Sequence, residues 1–385
     1  MLAPRLVLTK CYLVRVNELL IGLVGALIAT NQPLAVSNLI QQHAGVSATL
    51  VNPNDPAEKA LAELMARDDE VLAEVDKWIR DNNAFAAQGA GESKEALNQR
   101  IRARLDSVRK DYEDFLRRFP NSARGHLAYG SFLNDIGEED AAGAQCGIAA
   151  QLDPKNPAAW NQLANYYGEH DPVTNAFVDY AKAIELNPAE PVYYRNLAAT
   201  VYLFRKDARE FYGINEEQVF DKALALYRKA MQLDPQNFLL AADYADSYYG
   251  IRPLRTNDAL GAWTNALQIA HDDNEREGVY LHLARIKIAA GRFAEARAHL
   301  NDVTNTAFAD VRHRLERNLI EREDTATNPA AIGAVETNPA PIHSPPVLSN
   351  GVPALTNPPP FAPVMAPVLT NAPPIPPPAS HLLFP

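Results

Sequence analysis

Cysteine is almost missing from this chain. Cys11 and Cys146 are the only two in 385 residues. That excludes a disulfide framework, which needs several cysteines in a short secreted chain. Cys11 lies in a segment that reads as removable, and Cys146 falls on an apolar helix face, where a lone thiol acts as a small hydrophobe. Positive charge is also in short supply: 36 Lys and Arg against 47 Asp and Glu leave a net −11, the wrong sign for a nucleic-acid-binding face. Signatures of chemistry are lacking as well. The nine histidines contain no H-E-x-x-H and no pair at i, i+4, the two cysteines make no metal-ligand spacing, and no G-x-S-x-G occurs. "GAGESK" at 89–94 echoes a phosphate-binding loop, but its Ser-Lys order is reversed and it follows a helical pattern, so its glycines read as helix breakers. The acidic pairs Glu138-Glu139, Glu216-Glu217 and Asp272-Asp273 fall at turns or helix starts, where negative charge favours the helix dipole. No catalytic residue, cofactor or metal site is expected.

An apolar stretch of membrane-spanning length is absent too. The longest run, Leu19–Ala29, is well short of the roughly 20 residues that a span requires. It follows Arg5, Lys10 and Arg15 and precedes small residues, with no charge until Asp55. A basic start, a short apolar run and small residues describe a secretory signal over 1–30, with cleavage after Ala26 or Ala29. An uncleaved anchor, which would be the chain's one contact with a membrane, and a buried helix of a cytosolic protein are the alternatives. A linker follows at 31–54.

What the chain has in abundance is helical periodicity. Asp55, Pro56 and Glu58 form a helix start. Residues 56–66 and 69–87 carry Leu61, Leu64, Met65, Val71, Leu72, Val75, Trp78 and Ile79 at helical spacing. Ser93 caps a long helix over 94–119, with Leu97, Ile101, Leu105, Val108, Tyr112, Phe115 and Leu116 on one stripe. From 121 a short phrase recurs. "QLDPKNPAAW" starts at 151, "ELNPAEPVYY" at 185 and "QLDPQNFLLA" at 232. The first interval is 34 residues and the second 47.

A 34-residue period of paired helices resembles the tetratricopeptide-repeat family. In 157–188 the residues Trp160, Leu163, Ala164, Tyr167, Ala176, Tyr180, Ala183 and Pro188 occupy the positions that this family fills with Trp, Leu, Gly, Tyr, Ala, Phe/Tyr, Ala and Pro. The preceding unit matches in register through Gly130, Gly137, Ala142, Ala149 and Pro154, with His126 in the aromatic position. Later units carry Tyr194, Leu197, Ala198, Ala223, Tyr227, Ala230 and Pro235; then Tyr244, Ala245, Tyr248, Ala259, Trp263 and Ala266; then, from about 277, Tyr280, Leu283, Ala284, Gly291, Phe293, Ala296 and Leu300. The third unit is 13 residues too long, which places an insertion at 206–218, in a loop between its helices. The resemblance implies an all-α fold: a right-handed α-solenoid of stacked antiparallel helix pairs over 121–305. Residues 55–120 form leading helices, readable as a divergent repeat, and 306–324 a capping helix.

In this family, peptides lie in a groove lined by the first helices. Carried over position by position, that groove is Asn161, Asn165, Arg195, Asn196, Tyr202, Asp243, Asp246, Tyr249, His282 and Arg285. Asparagines can hold an extended backbone and tyrosines supply flat contact area. Arg195 stands nearly alone among basic residues, and Asp243 and Asp246 follow one repeat later. This disfavours a clamp for a terminal carboxylate and favours a neutral or mixed-charge peptide. The expected role is a non-catalytic scaffold for a protein or peptide partner, in a bacterial envelope or secreted assembly. A cytosolic adaptor or co-chaperone-like protein is the alternative, and an enzyme with an unfamiliar site near 206–218 a remote one.

From Thr325 onward the composition changes. Of the 29 prolines, 17 lie after residue 328, and lysine and arginine vanish. Such a segment cannot build a core. A disordered, polyproline-rich tail over 325–385 is expected, as a spacer, a docking strip or a cover for the groove.

Overall fold

Residues 55–86, 89–170 and 172–327 are described by the structure, a computed structural model. The expected signal at 1–30, the linker at 31–54, Cys11 and the Pro-rich residues from 328 onward lie outside them. The described residues all fall in one of the two units into which the chain divides, and their only regular structure is helical. Two leading helices, α1 (Pro56–Ala86) and α2 (Lys94–Arg118), precede five helix pairs. These are α3 (Ala123–Asp135) with α4 (Glu139–Leu152), α5 (Pro157–Glu169) with α6 (Thr174–Leu186), and α7 (Pro191–Leu203) with α9 (Glu216–Leu233), the last interrupted by α8 (Arg205–Tyr212). Then come α10 (Phe238–Asp246) with α11 (Thr256–Gln268), and α12 (Asp273–Ala289) with α13 (Phe293–Asn301), closed by α14 (Ala309–Thr327). Each first helix packs most extensively on its own second helix, and each second helix then packs on the first helix of the next pair.

The recurring phrase is a recurring turn. At Asp153, Asn187 and Asp234 the backbone leaves the helix with φ between −142° and −133°, and the N–H donates to the carbonyl four residues back. A proline follows, which has no N–H to continue the ladder. Asn156, Glu190 and Asn237 then cap the next helix, their side chains accepting from Ala158 N, Val192 N and Leu240 N, as N-cap residues do. The aromatic position adds a further tie. Trp160 Nε1 donates to the Pro154 carbonyl at 2.9 Å, Tyr194 Oη donates to the Pro188 carbonyl at 3.1 Å, and His126 Nε2 lies 3.0 Å from the Pro120 carbonyl. Indole, phenol and imidazole share a flat ring with a donor at the rim, which explains how histidine stands in for an aromatic here. Tyr194→Phe keeps the ring and removes the donor. It should cost about 1 kcal/mol in a urea titration.

Close packing rests on small residues. Ala164, Ala176, Ala183, Ala198, Ala223 and Ala230 have no exposed surface. At Gly130 a Cβ would lie 2.8 Å from Cys146 Sγ and 3.2 Å from the Ala142 carbonyl oxygen, so α3 and α4 approach only because that atom is missing. Cys146 is itself buried, and burial pushes its thiol up to about 12, the mark of an inert packing residue.

The structure departs from the sequence expectations in four places. Residues 56–66 and 69–87 are not two helices but the single α1, since neither Gly nor Pro interrupts them and Asp68 is held within the packed stripe. The 206–218 insertion is not a loop: most of it is α8, ended by Gly213 at φ +64°, a left-handed conformation that glycine adopts without penalty. A capping box joining Asn215 and Gln218 then starts α9. The fifth pair begins at Asp273 rather than about 277, because Asp272 caps it by accepting from Glu275 N. The closing helix runs to Thr327, buries Leu319 and packs on both α12 and α13.

Candidate functional site

One side of the first helices brings the expected groove residues into three connected groups. Asn161 and Asn165 lie a turn apart on α5, and Asn196 lies on α7, one repeat on. Asn196 Nδ2 donates to Asn161 Oδ1 at 3.1 Å and to Asn165 Oδ1 at 3.3 Å. Asn165 is further fixed: Tyr180 Oη donates to its Oδ1 at 2.8 Å, and its own Nδ2 donates to Gln162 Oε1 at 2.8 Å. Both polar side-chain atoms of Asn165 are thereby engaged. The Asn161 amide nitrogen and the Asn196 amide oxygen keep no partner among the described residues.

The second group is an ion pair across repeats. Arg195 Nε donates to Asp243 Oδ2 at 2.6 Å, with the two side chains 12% and 31% exposed. Arg195 Nη1 is buried without a hydrogen-bond partner. Burial raises the Asp243 carboxyl, against the lowering pull of Arg195. The third group joins α10, its 3₁₀ extension Ser247–Gly250, and α12. The Arg285 guanidinium sits over the Tyr249 ring, 4.6 Å from its centroid. Tyr249 Oη lies 3.1 Å from His282 Nδ1, and the His282 ring stacks on Trp263 at 3.9 Å and 13°. Burial, with Arg285 adding to it, lowers His282 to about 3, so the imidazole is neutral. Asp246 is raised to about 6 by burial and Asp243, with Arg285 opposing. Tyr202 stands apart, its ring flanked by Phe220 and by the Arg205 guanidinium, which makes it chiefly a packing residue.

The family positions in 157–188 behave as packing and turn residues. Trp160 and Leu163 join the cluster of Leu127, Cys146 and Ala149; Tyr167 and Tyr180 join that of Phe177 and Val201. Pro188 follows the end of α6. Sequence reasoning does not point to Gln162, to Trp263 as the ring beneath His282, or to the Arg195–Asp243 pairing. The signal that could find them is the period itself: on neighbouring first helices, residues about one repeat apart, plus any insertion, meet. Arg195 and Asp243 are 48 residues apart.

Among the described residues no three His, Cys, Asp or Glu side chains are grouped to hold a metal ion. No described helix is long and apolar enough to cross a membrane. An open recess of about 330 Å³ is lined by Gly137–Ala141 and His170, and none of the face residues borders it.

No protein-family model matches the sequence, and no curated protein matches it. Solved structures do. A repeat protein of Cytophaga hutchinsonii is 15% identical, with 66% of this chain and 98% of that one covered, at a TM-score of 0.43. A thermophilic protein of Thermus thermophilus is 20% identical, over 52% and 100%, at 0.37. YrrB, described as having an unusual peptide-binding site, is 12% identical, over 54% and 97%, at 0.41. All three are tetratricopeptide-repeat proteins. The fold of the present chain, an α-solenoid of the tetratricopeptide-repeat type, rests on its own geometry: five successive antiparallel helix pairs, the first four joined by the recurring turn and seated on buried alanines.

Proposed function

We propose that this protein is a non-catalytic scaffold that holds an extended peptide segment of a partner protein along the first-helix face. The observation that carries this reading is the unpaired donor of Asn161 beside the unpaired acceptor of Asn196. A peptide group offers the complement, one C=O and one N–H, and the hydrogen bond between the two asparagines fixes their spacing. The charges on this face alternate, Arg195 with Asp243 and Arg285 with Asp246, so the partner segment is neutral or of mixed charge. An exported setting belongs to the proposal through the sequence of 1–30 alone, and an intact Met1 on the native protein in a cytosolic fraction would remove it.

Panning random displayed 12-residue peptides on the full chain tests the site. A selected peptide should bind Asn161→Ala or Asn196→Ala about tenfold more weakly, the worth of one or two backbone hydrogen bonds. Circular dichroism controls for folding. Equal affinity for the wild type and both folded variants would move the site elsewhere.

A further inference from the structure

The amino-terminal end of the array contains a carboxylate where its packing calls for a hydrocarbon. The face of α1 that meets α2 and α3 carries Leu61, Leu64, Asp68, Val71 and Val75, all buried, at the 3–4 spacing of an apolar stripe. Asp68 occupies the middle of that stripe and is 8% exposed. Its apolar neighbours along the stripe belong to one core with Val108, Tyr112, Phe132 and Leu133. Tyr112 Oη donates to Asp68 Oδ2 at 2.9 Å, while Oδ1 is buried with no partner. The other charges acting on Asp68 are also negative: Asp69 on α1 and Asp135 at the end of α3. The nearby cation in sequence, Arg67, is paired with Asp111 of α2 at 2.6 Å.

We propose that α1 is a proton-linked cover on the end of the array: docked on α2 and α3 while Asp68 is neutral, and released when it ionises. The physical reason is asymmetry. A neutral carboxyl in this stripe has one hydrogen bond and costs little. An ionised one keeps a single donor, is desolvated, and faces two other carboxylates, an arrangement that strongly disfavours charge. Burial accordingly raises Asp68 to about 7, with Asp135 and Asp69 adding to it and the Tyr112 hydrogen bond opposing. The docked state binds the proton more tightly than the released one, so docking is favoured at low pH. That advantage is lost as pH rises from the ordinary carboxylate range through about 7. The long α1 packs chiefly on α2, with a smaller contact to α3, and so can open as a local unit while the central repeats stay folded.

Hydrogen–deuterium exchange on the full chain tests this, at pH 5.5, 7.0 and 8.5, corrected for intrinsic rates. Protection of 56–86, relative to that of α5 and α6, should fall at least tenfold between pH 5.5 and 8.5. Asp68→Asn should abolish the pH dependence, and Asp68→Leu, which completes the stripe, should give high protection at every pH. A wild-type ratio that does not change with pH would overturn the proposal. So would a pH dependence that survives in the two variants.

Discussion

Asp179→Asn should stabilise the protein at pH 8 by up to about 4 kcal/mol and leave it nearly unchanged at pH 4. Asp179 lies on α6, 8% exposed, and no hydrogen bond or ion pair reaches it among the described residues. Burial alone raises it from 3.8 to about 7. Each tenfold gain in proton affinity corresponds to about 1.4 kcal/mol between the two protonation states, and the rise from 3.8 to about 7 sets the ceiling. The direction is that of a raised carboxylate: the folded state gains from the bound proton below about pH 4, and that gain disappears as pH rises through 7. Asparagine has the same shape and never ionises. Thermal melts at pH 4.5, 6 and 8 should show the variant's advantage growing with pH, to a shift of about 10 °C at pH 8. An advantage of the same size at every pH would mean that packing, not charge, is responsible. No advantage at pH 8 would mean that the carboxylate is already compensated.

The repeat architecture was legible because it is written in covalent geometry and size. A proline cannot continue a helix, an alanine admits a neighbouring helix, and a capping asparagine starts one, whatever surrounds them. Hence the turns at 153–156, 187–190 and 234–237 could be placed from three short phrases. Two of the departures occur where tertiary contacts add to or override local pattern. Residues 67–68 separate the two stretches of helical spacing, and Asp68 finds its partner in Tyr112, 44 residues away. The insertion at 206–218 reads as a loop because the strength of α8 is not local: it draws on the Phe177 ring of α6 and on packing against α7 and α9. The candidate face was legible only by register. The period gave which residues share a side, but it could not say that Asn165 is fully engaged while Asn161 and Asn196 each keep a free atom. It places Arg195 and Asp243 on neighbouring first helices, but the 2.6 Å contact that cancels their charges is visible only in the structure.

Phe177→Ala should cost about 3–5 kcal/mol, as truncation of a fully buried phenylalanine does, and it should undo α8 before the rest. Phe177 is 1% exposed. Its ring contacts Phe211 at 5.3 Å and Tyr212 at 5.5 Å, and it shares a cluster with Ala176, Tyr180, Val201, Ala208 and Val219. One side chain therefore ties α6 to the insertion and to the next repeat. An eight-residue helix such as α8 is far below the ~12–15 residues at which isolated helices become marginal, so it persists only while that platform is present. Phe211→Ala provides the contrast: the residue touches the same ring but is 42% exposed, and its loss should cost about 1 kcal/mol. Because stability in a repeat stack is a sum over neighbours, a void at this joint weakens the coupling between the second and third units. The urea transition of Phe177→Ala should accordingly broaden or split, where the wild type and Phe211→Ala unfold in one step. Limited proteolysis within 205–213 should accelerate in Phe177→Ala alone. If the two variants lose equal stability, or if α8 stays as resistant as in the wild type, then α8 is held by α7 and α9 instead, and Phe177 is not the joint that links the insertion to the array.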